Sequence, residues 1–348
     1  MKSHSLLRIT PTRKAVRAAL ENLRKVPVTE FDHLLIDAER LWSGEAPWPY
    51  PIALVELEKV SNPDAGTLLP ACPVIGIGDR AHPVAARLDA VVEDPVPIDT
   101  LARQVLARPM ASAAIVQLLR ILPSLSLDAG LTAESMAYAM LQGSAEHREW
   151  LDGRGSASEQ EPQAPGQVIL DRDSEGLTIT LDRPWAGNSI DAAMRDGLHD
   201  AFMLAALDTD IEAVSLRANG KTFSLGADLS EFGTTSDPAT AHHIRSLTLP
   251  ARMAVGCAGK LEAHINGACV GAGLEIAAFA SRVTARRTAW FQLPELEMGI
   301  LPGAGGCVSL TRRIGRQRTA LMILSGKRIS AAKALEWGLI DAIVDDPA

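Results

Sequence analysis

From Val168 onward the chain alternates short β-rich runs with turns and amphipathic helix signals, and that alternation restricts this part to an α/β fold. Val168-Ile-Leu and Leu177-Thr-Ile-Thr-Leu read as two strands around an Asp-Ser-Glu-Gly turn. Ser189 or Asp191 can cap a helix that runs through Met194, Leu198 and Phe202. The run from Ala213 to Ala218 reads as a strand leading into Phe223-Ser-Leu-Gly-Ala-Asp228. Lys260 to Asn266 reads as another, leading into Gly271-Ala-Gly273 and a helix from Leu274; Val283-Thr-Ala is a third. In such a layout ligands are expected at the strand ends.

The 14 residues from Gly153 to Gly166 are polar, rich in Gly, Ser and Pro, and without apolar periodicity, so they read as a linker at 153–166. The part before it, 1–152, is mostly helical. Asp99 to Ala107, Ala113 to Leu122 and Leu131 to Leu141 carry apolar residues at helical spacing, such as Ile115, Leu118, Leu119 and Leu122, with Pro109 and Pro123 as punctuation. Pro51 to Val60 and Pro73 to Ile77 read as strands. One internal echo stands out: Arg87-Leu-Asp-Ala-Val-Val-Glu-Asp-Pro95 matches Leu339-Ile-Asp-Ala-Ile-Val-Asp-Asp-Pro347. Both copies end in an acidic pair and proline, which argues against chance.

Net charge is −8 over 348 residues, which argues against a nucleic-acid surface. No apolar run approaches a membrane span, and Met1-Lys-Ser-His-Ser-Leu-Leu-Arg8 has no long apolar stretch of the secretory kind. Cys72, Cys257, Cys269 and Cys307 fit neither a zinc site nor a redox pair, so buried free thiols in the cytoplasm are expected. No histidine cluster suggests a metal. His264 reads as a strand histidine with a buried partner, and His242-His243 as part of a surface helix.

Three glycine-bearing turns carry the candidate chemistry. Gly226-Ala227-Asp228 follows a strand and can leave backbone N–H groups unpaired; Gly271-Ala272-Gly273 does the same at a helix start. Two such N–H groups converging on one oxygen make an oxyanion hole. Glu275 lies on the first turn of the following helix, and Glu295 follows Pro294; Glu297 is expected to face solvent. A pair of carboxyls in one site would repel, so that one holds a proton while the other activates water. Singly, each feature is also an ordinary turn or cap. Leu301-Pro-Gly-Ala-Gly-Gly306 lacks the Lys-Ser/Thr ending of a P-loop and reads as a close-packed turn beside the site.

In these residues the chain resembles the crotonase superfamily, the enoyl-CoA hydratase/isomerase family. The matching segments are Arg183-Pro184 with Asn188, Phe223 to Asp228, Asn266 to Glu275, Pro294-Glu295, Leu301 to Gly306, Leu310-Thr-Arg-Arg-Ile-Gly315 and Ser325 to Asp341. They run through residues 167–347 in the family's order. The resemblance implies a crotonase-like ββα spiral core at 167–348 that binds acyl-CoA thioesters. It implies that the N–H groups of Ala227 and Ala272 form the oxyanion hole. Glu275 would help deliver water to the β-carbon, and Glu295 would protonate the α-carbon. Leu225, Gly226, Asp228, Gly271 and Gly303 would line the substrate and CoA site, with the stretch from Leu225 to Ser230 meeting the adenine and pantetheine. No cofactor is expected beyond the coenzyme A of the substrate. Homo-oligomers, trimers or hexamers, are implied.

Two departures stand inside the motifs: Ala272 where glycine is usual, and Ser230 where a lysine or arginine often meets CoA. The family's C-terminal helical module is missing after the core. Asp99 to Trp150 resembles that module, including Leu131-Thr-Ala-Glu-Ser-Met-Ala-Tyr138 and Gly143-Ser-Ala-Glu-His-Arg-Glu-Trp150. The expectation is therefore a degenerate crotonase-like segment at 1–98, a helical module at 99–152 relocated ahead of the core, and packing of that module back on a core. Residues 1 to 82 carry no catalytic motif and read as scaffold. Hydration is the expected reaction. Isomerisation, thioester hydrolysis, decarboxylation and C–C cleavage remain open, as does a non-catalytic acyl-CoA-binding subunit.

Overall fold

A computed structural model describes residues 32–37, 48–60, 69–154, 164–174 and 176–345. The start at Met1–Arg8, most of the 153–166 linker and the closing Asp346-Pro347 of the second echo copy lie outside them.

The chain first builds a parallel sheet from β1 (Ala53–Glu56), β2 (Val74–Ile77) and β3 (Ala90–Val91) in that order. The run from Pro51 to Val60 is not strand throughout. It turns at Leu57–Lys59 into a 3-10 helix, where buried Leu57 anchors the bend and Lys59 pairs with Glu56. Four helices follow: α1 (Ile98–Ala107), α2 (Pro109–Ile121), α3 (Leu127–Gln142) and α4 (Ala145–Gly153). The α2 stripe Ile115, Leu118 and Leu119 is buried, as its spacing predicts. Ser126 and Ser144 cap α3 and α4 through Ala129 N and His147 N.

Beyond the linker, β4 (Gln167–Arg172) and β5 (Leu177–Asp182) pair antiparallel. Helix α5 (Ala192–Leu207) is capped by Asp191, which accepts Met194 N at 2.9 Å; Met194, Leu198 and Phe202 are its buried face. Next come β6 (Val214–Ala218), α6 (Pro238–Thr248), α7 (Pro250–Cys257), β7 (Leu261–Ile265), β8 (Ala268–Val270) and the short α8 (Ala272–Ala277). The chain continues through β9 (Arg282–Arg286), β10 (Trp290–Gln292), α9 (Gly306–Ile314), α10 (Arg316–Ser325), β11 (Ile329–Ser330), α11 (Ala331–Trp337) and β12 (Ala342–Val344). Six strands form one sheet in the order β12-β9-β7-β6-β5-β4, and β11-β10-β8 form a second. His264 on β7 reaches the buried Thr284 hydroxyl at 3.0 Å.

The echo is structural as well as sequential. Asp89 N donates to Val74 O at 3.0 Å, and Asp89 Oδ2 accepts Val74 N at 2.8 Å. Asp341 N donates to Val283 O at 2.8 Å, and Asp341 Oδ2 accepts Val283 N at 2.6 Å. Each aspartate precedes a strand that pairs parallel with the strand it hydrogen-bonds, β3 on β2 and β12 on β9. Each also holds a helix arginine: Arg120 bridges Asp89, and Arg313 bridges Asp341.

The two parts share one apolar core, which runs from Leu54, Ile75, Leu101 and Ile115 to Phe202, Phe291 and Leu321. Helix α10 lies against α1, α2 and β3. Its first turn pairs Arg316 with Asp89 and Arg318 with Glu93, while Gln317 donates to Ala85 O and Leu88 O. Helix α3 packs on α6 and α9, and α4 packs on the turn at Glu295–Met298. The helices of 98–153 therefore close on the strand-rich part of their own chain. Among the described residues no single helix is long and apolar enough to cross a membrane.

Candidate active site

The extended segment at Phe223-Ser224 runs beside β8: Phe223 N and Ser224 N donate to Ala268 O, and Val270 N donates to Ser224 O. That pairing sets the turn at Gly226 against the turn at Gly271. A Cβ on Gly226 would stand 3.2 Å from Val270 O and 3.6 Å from Ala272 N, so the backbones approach closely because the residue is glycine. Ile190 N donates to Gly226 O and Asp228 N donates to Ile190 O, which turns the N–H of Ala227 to the opposite side. Ala272 opens α8, where a helix leaves N–H groups without intrahelical acceptors. Among the described residues neither N–H has a hydrogen-bond acceptor.

Both turns face a cavity of about 260 Å³. It is lined by every one of the nine residues that the sequence singled out: Leu225, Gly226, Ala227, Asp228, Gly271, Ala272, Glu275, Glu295 and Gly303. Asp228 differs from expectation in one respect. Its carboxylate is engaged with buried Arg183 at 2.5 Å and with the N–H and hydroxyl of Ser230, which hold it below the usual carboxylate range against the opposing effect of burial. It shapes the turn rather than offering a free charge.

Glu275 is 2% exposed and Glu295 is 8% exposed. They sit in unlike surroundings. Glu275 Oε2 accepts Ala304 N at 2.7 Å and Gly306 N at 2.9 Å. Burial pushes its carboxyl up to about 7, and those two N–H groups oppose the rise. Glu295 Oε2 has no partner among the described residues. Burial, and then the nearby Glu275, raise its carboxyl well above the usual range. Glu295 Oε1 lies so near Gly271 that a Cβ there would stand 2.7 Å away, and Gly271 has φ +46°. Glu297 is exposed, as expected.

Two side chains from the N-terminal helices complete the site, and neither was assigned a role from sequence. Glu134 on α3 is 1% exposed; its Oε1 accepts Gly305 N at 2.7 Å and its Oε2 accepts Val308 N at 3.2 Å. Tyr138, one turn along the same helix, packs on Gly303, where a Cβ would stand 2.2 Å from its ring. The signal was a Glu four residues from a Tyr on the helix face that buries Leu131, Ser135 and Leu141, which only tertiary packing turns into a site. His147 Nδ1 on α4 donates to Met298 O at 2.8 Å, and Arg108 Nε, at the junction of α1 and α2, donates to Glu297 O at 3.1 Å. The helices ahead of the linker thus hold both segments that carry or bind the paired glutamates.

Helix α6 forms another wall through Ala241, Ile244 and Arg245. His242 is half-buried there against the Ser135 hydroxyl, whereas His243 is exposed. All four cysteines are free and buried; burial raises the Cys269 and Cys307 thiols far above the range in which they would ionise. They are poor nucleophiles. Among the described residues no group of His, Cys, Asp and Glu could hold a metal ion.

Comparison with known proteins adds an independent line. Residues 173–347 match the profile described as Enoyl-CoA hydratase/isomerase. The chain is 35% identical over 177 residues to 2,3-dehydroadipyl-CoA hydratase of Escherichia coli (strain K12), covering 51% of this chain and 69% of that protein. It is 31% identical over 178 residues to mevalonyl-coenzyme A hydratase of Beauveria bassiana, covering 49% of this chain and 64% of that protein. The solved enoyl-CoA hydratase from Thermoplasma volcanium GSS1 is 34% identical, with a TM-score of 0.47, over 51% of this chain and 72% of that one.

Proposed function

The chain belongs to the enoyl-CoA hydratase/isomerase family of the crotonase superfamily, and from that premise we propose that it adds water across the 2,3-double bond of an enoyl-CoA thioester. Its core is of the crotonase type, with a mostly helical region ahead of it.

The observation that carries the reaction is the unlike pair of buried carboxyls in one cavity, Glu275 with two N–H donors and Glu295 Oε2 with none. A carboxylate that accepts two N–H groups is favoured as the anion; an unpartnered buried carboxyl is favoured as the neutral acid. In our reading the thioester oxygen sits between the N–H groups of Ala227 and Ala272. Glu275 takes a proton from water as the water oxygen bonds to the β-carbon. The π electrons move toward the carbonyl, and the two N–H groups stabilise the resulting enolate. Glu295 then gives its proton to the α-carbon. The product is a 3-hydroxyacyl thioester. The proton gained by Glu275 and lost by Glu295 re-equilibrates through solvent, so the cycle balances.

The same site would serve isomerisation or thioester hydrolysis, since both use an enolate- or oxyanion-stabilising hole. Two retained acid/base carboxyls favour hydration over these and over a purely binding role. We also read the strand pattern β1-β2-β3, with its Asp89 hydrogen bonds, as a reduced copy of β7-β9-β12, and α1 to α4 as a relocated closing module. Exposed Met136, Met140, Ile244 and Leu247 on the packed helices α3 and α6 offer an apolar face for the homo-oligomer implied by family resemblance.

The test is loss of the conjugated enoyl absorbance on a panel of short, long and ring-bearing 2-enoyl-CoA thioesters, with product mass. A gain of one water supports the reading. Binding without any water gain overturns it in favour of another reaction or an accessory role.

A further inference from the structure

Arg245 stands on the cavity wall without an ion-pair partner among the described residues. Its Nε donates to Ser135 Oγ at 3.1 Å, Nη1 to Gln142 Oε1 at 3.3 Å and Nη2 to Ser135 O at 3.2 Å. All three acceptors are neutral. Among the described residues no carboxylate forms an ion pair with it. Glu134 lies close enough to act on it electrostatically, but both oxygens of that carboxyl bind Gly305 and Val308. A guanidinium has five N–H donors, and the three contacts leave two.

Its position is fixed. The guanidinium lies 4.4 Å over the Tyr138 ring, and that ring packs on Gly303. Gly303 precedes Ala304, whose N–H binds Glu275. Arg245 is therefore about one aromatic ring removed from the reacting carboxyls, on the wall that also presents Ile244, Leu249 and Ile276. An acyl group here meets an apolar stretch and then a cation. A clamp joining α3 to α6 would explain the three contacts but not an arginine without an anion; Gln or Lys could make similar contacts to neutral acceptors. Leaving a charge partly desolvated and unpaired is unfavourable unless a ligand supplies the partner.

We propose that Arg245 selects acyl groups that end in a carboxylate, so that the substrates are thioesters of short dicarboxylic acids. This rests on the acyl-CoA reading above and narrows it. A planar guanidinium with two free donors suits a carboxylate better than a hydroxyl or a methyl end.

The test compares binding of matched pairs by calorimetry to the full chain: adipyl-CoA against hexanoyl-CoA, and glutaryl-CoA against pentanoyl-CoA. The CoA part is common and cancels. The expected result is tighter binding of at least one dicarboxylic member by about tenfold or more, the scale of one charge-assisted contact. In Arg245→Met that ratio falls to about one, and Arg245→Lys keeps part of it. Equal binding of both members in both pairs overturns the proposal while leaving the acyl-CoA reading intact. No binding of any of the four overturns both. The wild-type ratio alone decides if the variants do not fold.

Discussion

Glu134 and Glu275 grip alternate N–H groups of one loop: Glu134 holds Gly305 and Val308, and Glu275 holds Ala304 and Gly306. One carboxyl comes from before the linker and the other from after it. Helix α3 therefore helps to hold the loop that also binds Glu275.

Glu134→Gln should therefore lower both stability and turnover. The amide keeps one acceptor but turns an NH2 toward a buried N–H. A buried donor left unsatisfied costs about 1–3 kcal/mol. Thermal unfolding and kcat on an accepted thioester should fall together, with kcat down about tenfold or more. Unchanged kcat with lowered stability would make Glu134 a helix cap only.

Glu275→Gln and Glu295→Gln should each lower kcat by roughly 10²–10⁴-fold, the usual range for one acid or base. The double variant should lose about as much as the worse single, because the two act as a unit. Steady-state kinetics decides this, and full activity in the double variant would remove both residues from the reaction.

The pH profile follows from the same pair. Glu275, with its carboxyl at about 7, must be ionised to take a proton, so kcat/KM should rise as pH climbs through about 7. Glu295, raised well above the usual range, must be protonated, so activity should fall again at higher pH. Stability has the opposite sign. Glu275 binds its proton more tightly folded, about 7, than unfolded, 4.5. Its favourable contribution is complete below 4.5 and is lost as pH rises toward about 7, by up to about 3 kcal/mol. Urea unfolding across that range should show the decline, and Glu275→Gln should flatten it.

The echoed aspartates make a matched comparison. The Asp89 side chain is 2% exposed and faces Arg120 and Arg316; that of Asp341 is 44% exposed. Removing a buried partner strands its arginine and costs about 3–5 kcal/mol, while an exposed pair contributes about 1 kcal/mol or less. Asp89→Ala should destabilise the chain far more than Asp341→Ala in chemical denaturation. Equal losses would mean that the backbone hydrogen bonds, common to both, dominate.

What could be read in the sequence was local. Asp191 at a helix start, glycines where backbones touch, and glutamates just after them leave marks within a few residues. The strands from Val168 to Ala285 follow the same logic. The turn at Leu57–Lys59 was hidden because Leu57 is apolar enough to continue a strand, and its packing decides otherwise. Glu134, Tyr138 and Arg245 were not assigned because their roles depend on which helix docks where. The segment holding Glu134 and Tyr138 resembles the family's closing module, but a likeness of segments does not say which side chain meets which loop.

The most direct test is the fate of labelled water. A short 2-enoyl-CoA incubated with the chain in H₂¹⁸O, and separately in D₂O, should yield a 3-hydroxyacyl-CoA with ¹⁸O at the β-carbon and one deuterium at the α-carbon. Deuterium without ¹⁸O would indicate isomerisation, and ¹⁸O in a free acid with released CoA would indicate hydrolysis; either would contradict the assignment of Glu275 and Glu295 to water addition.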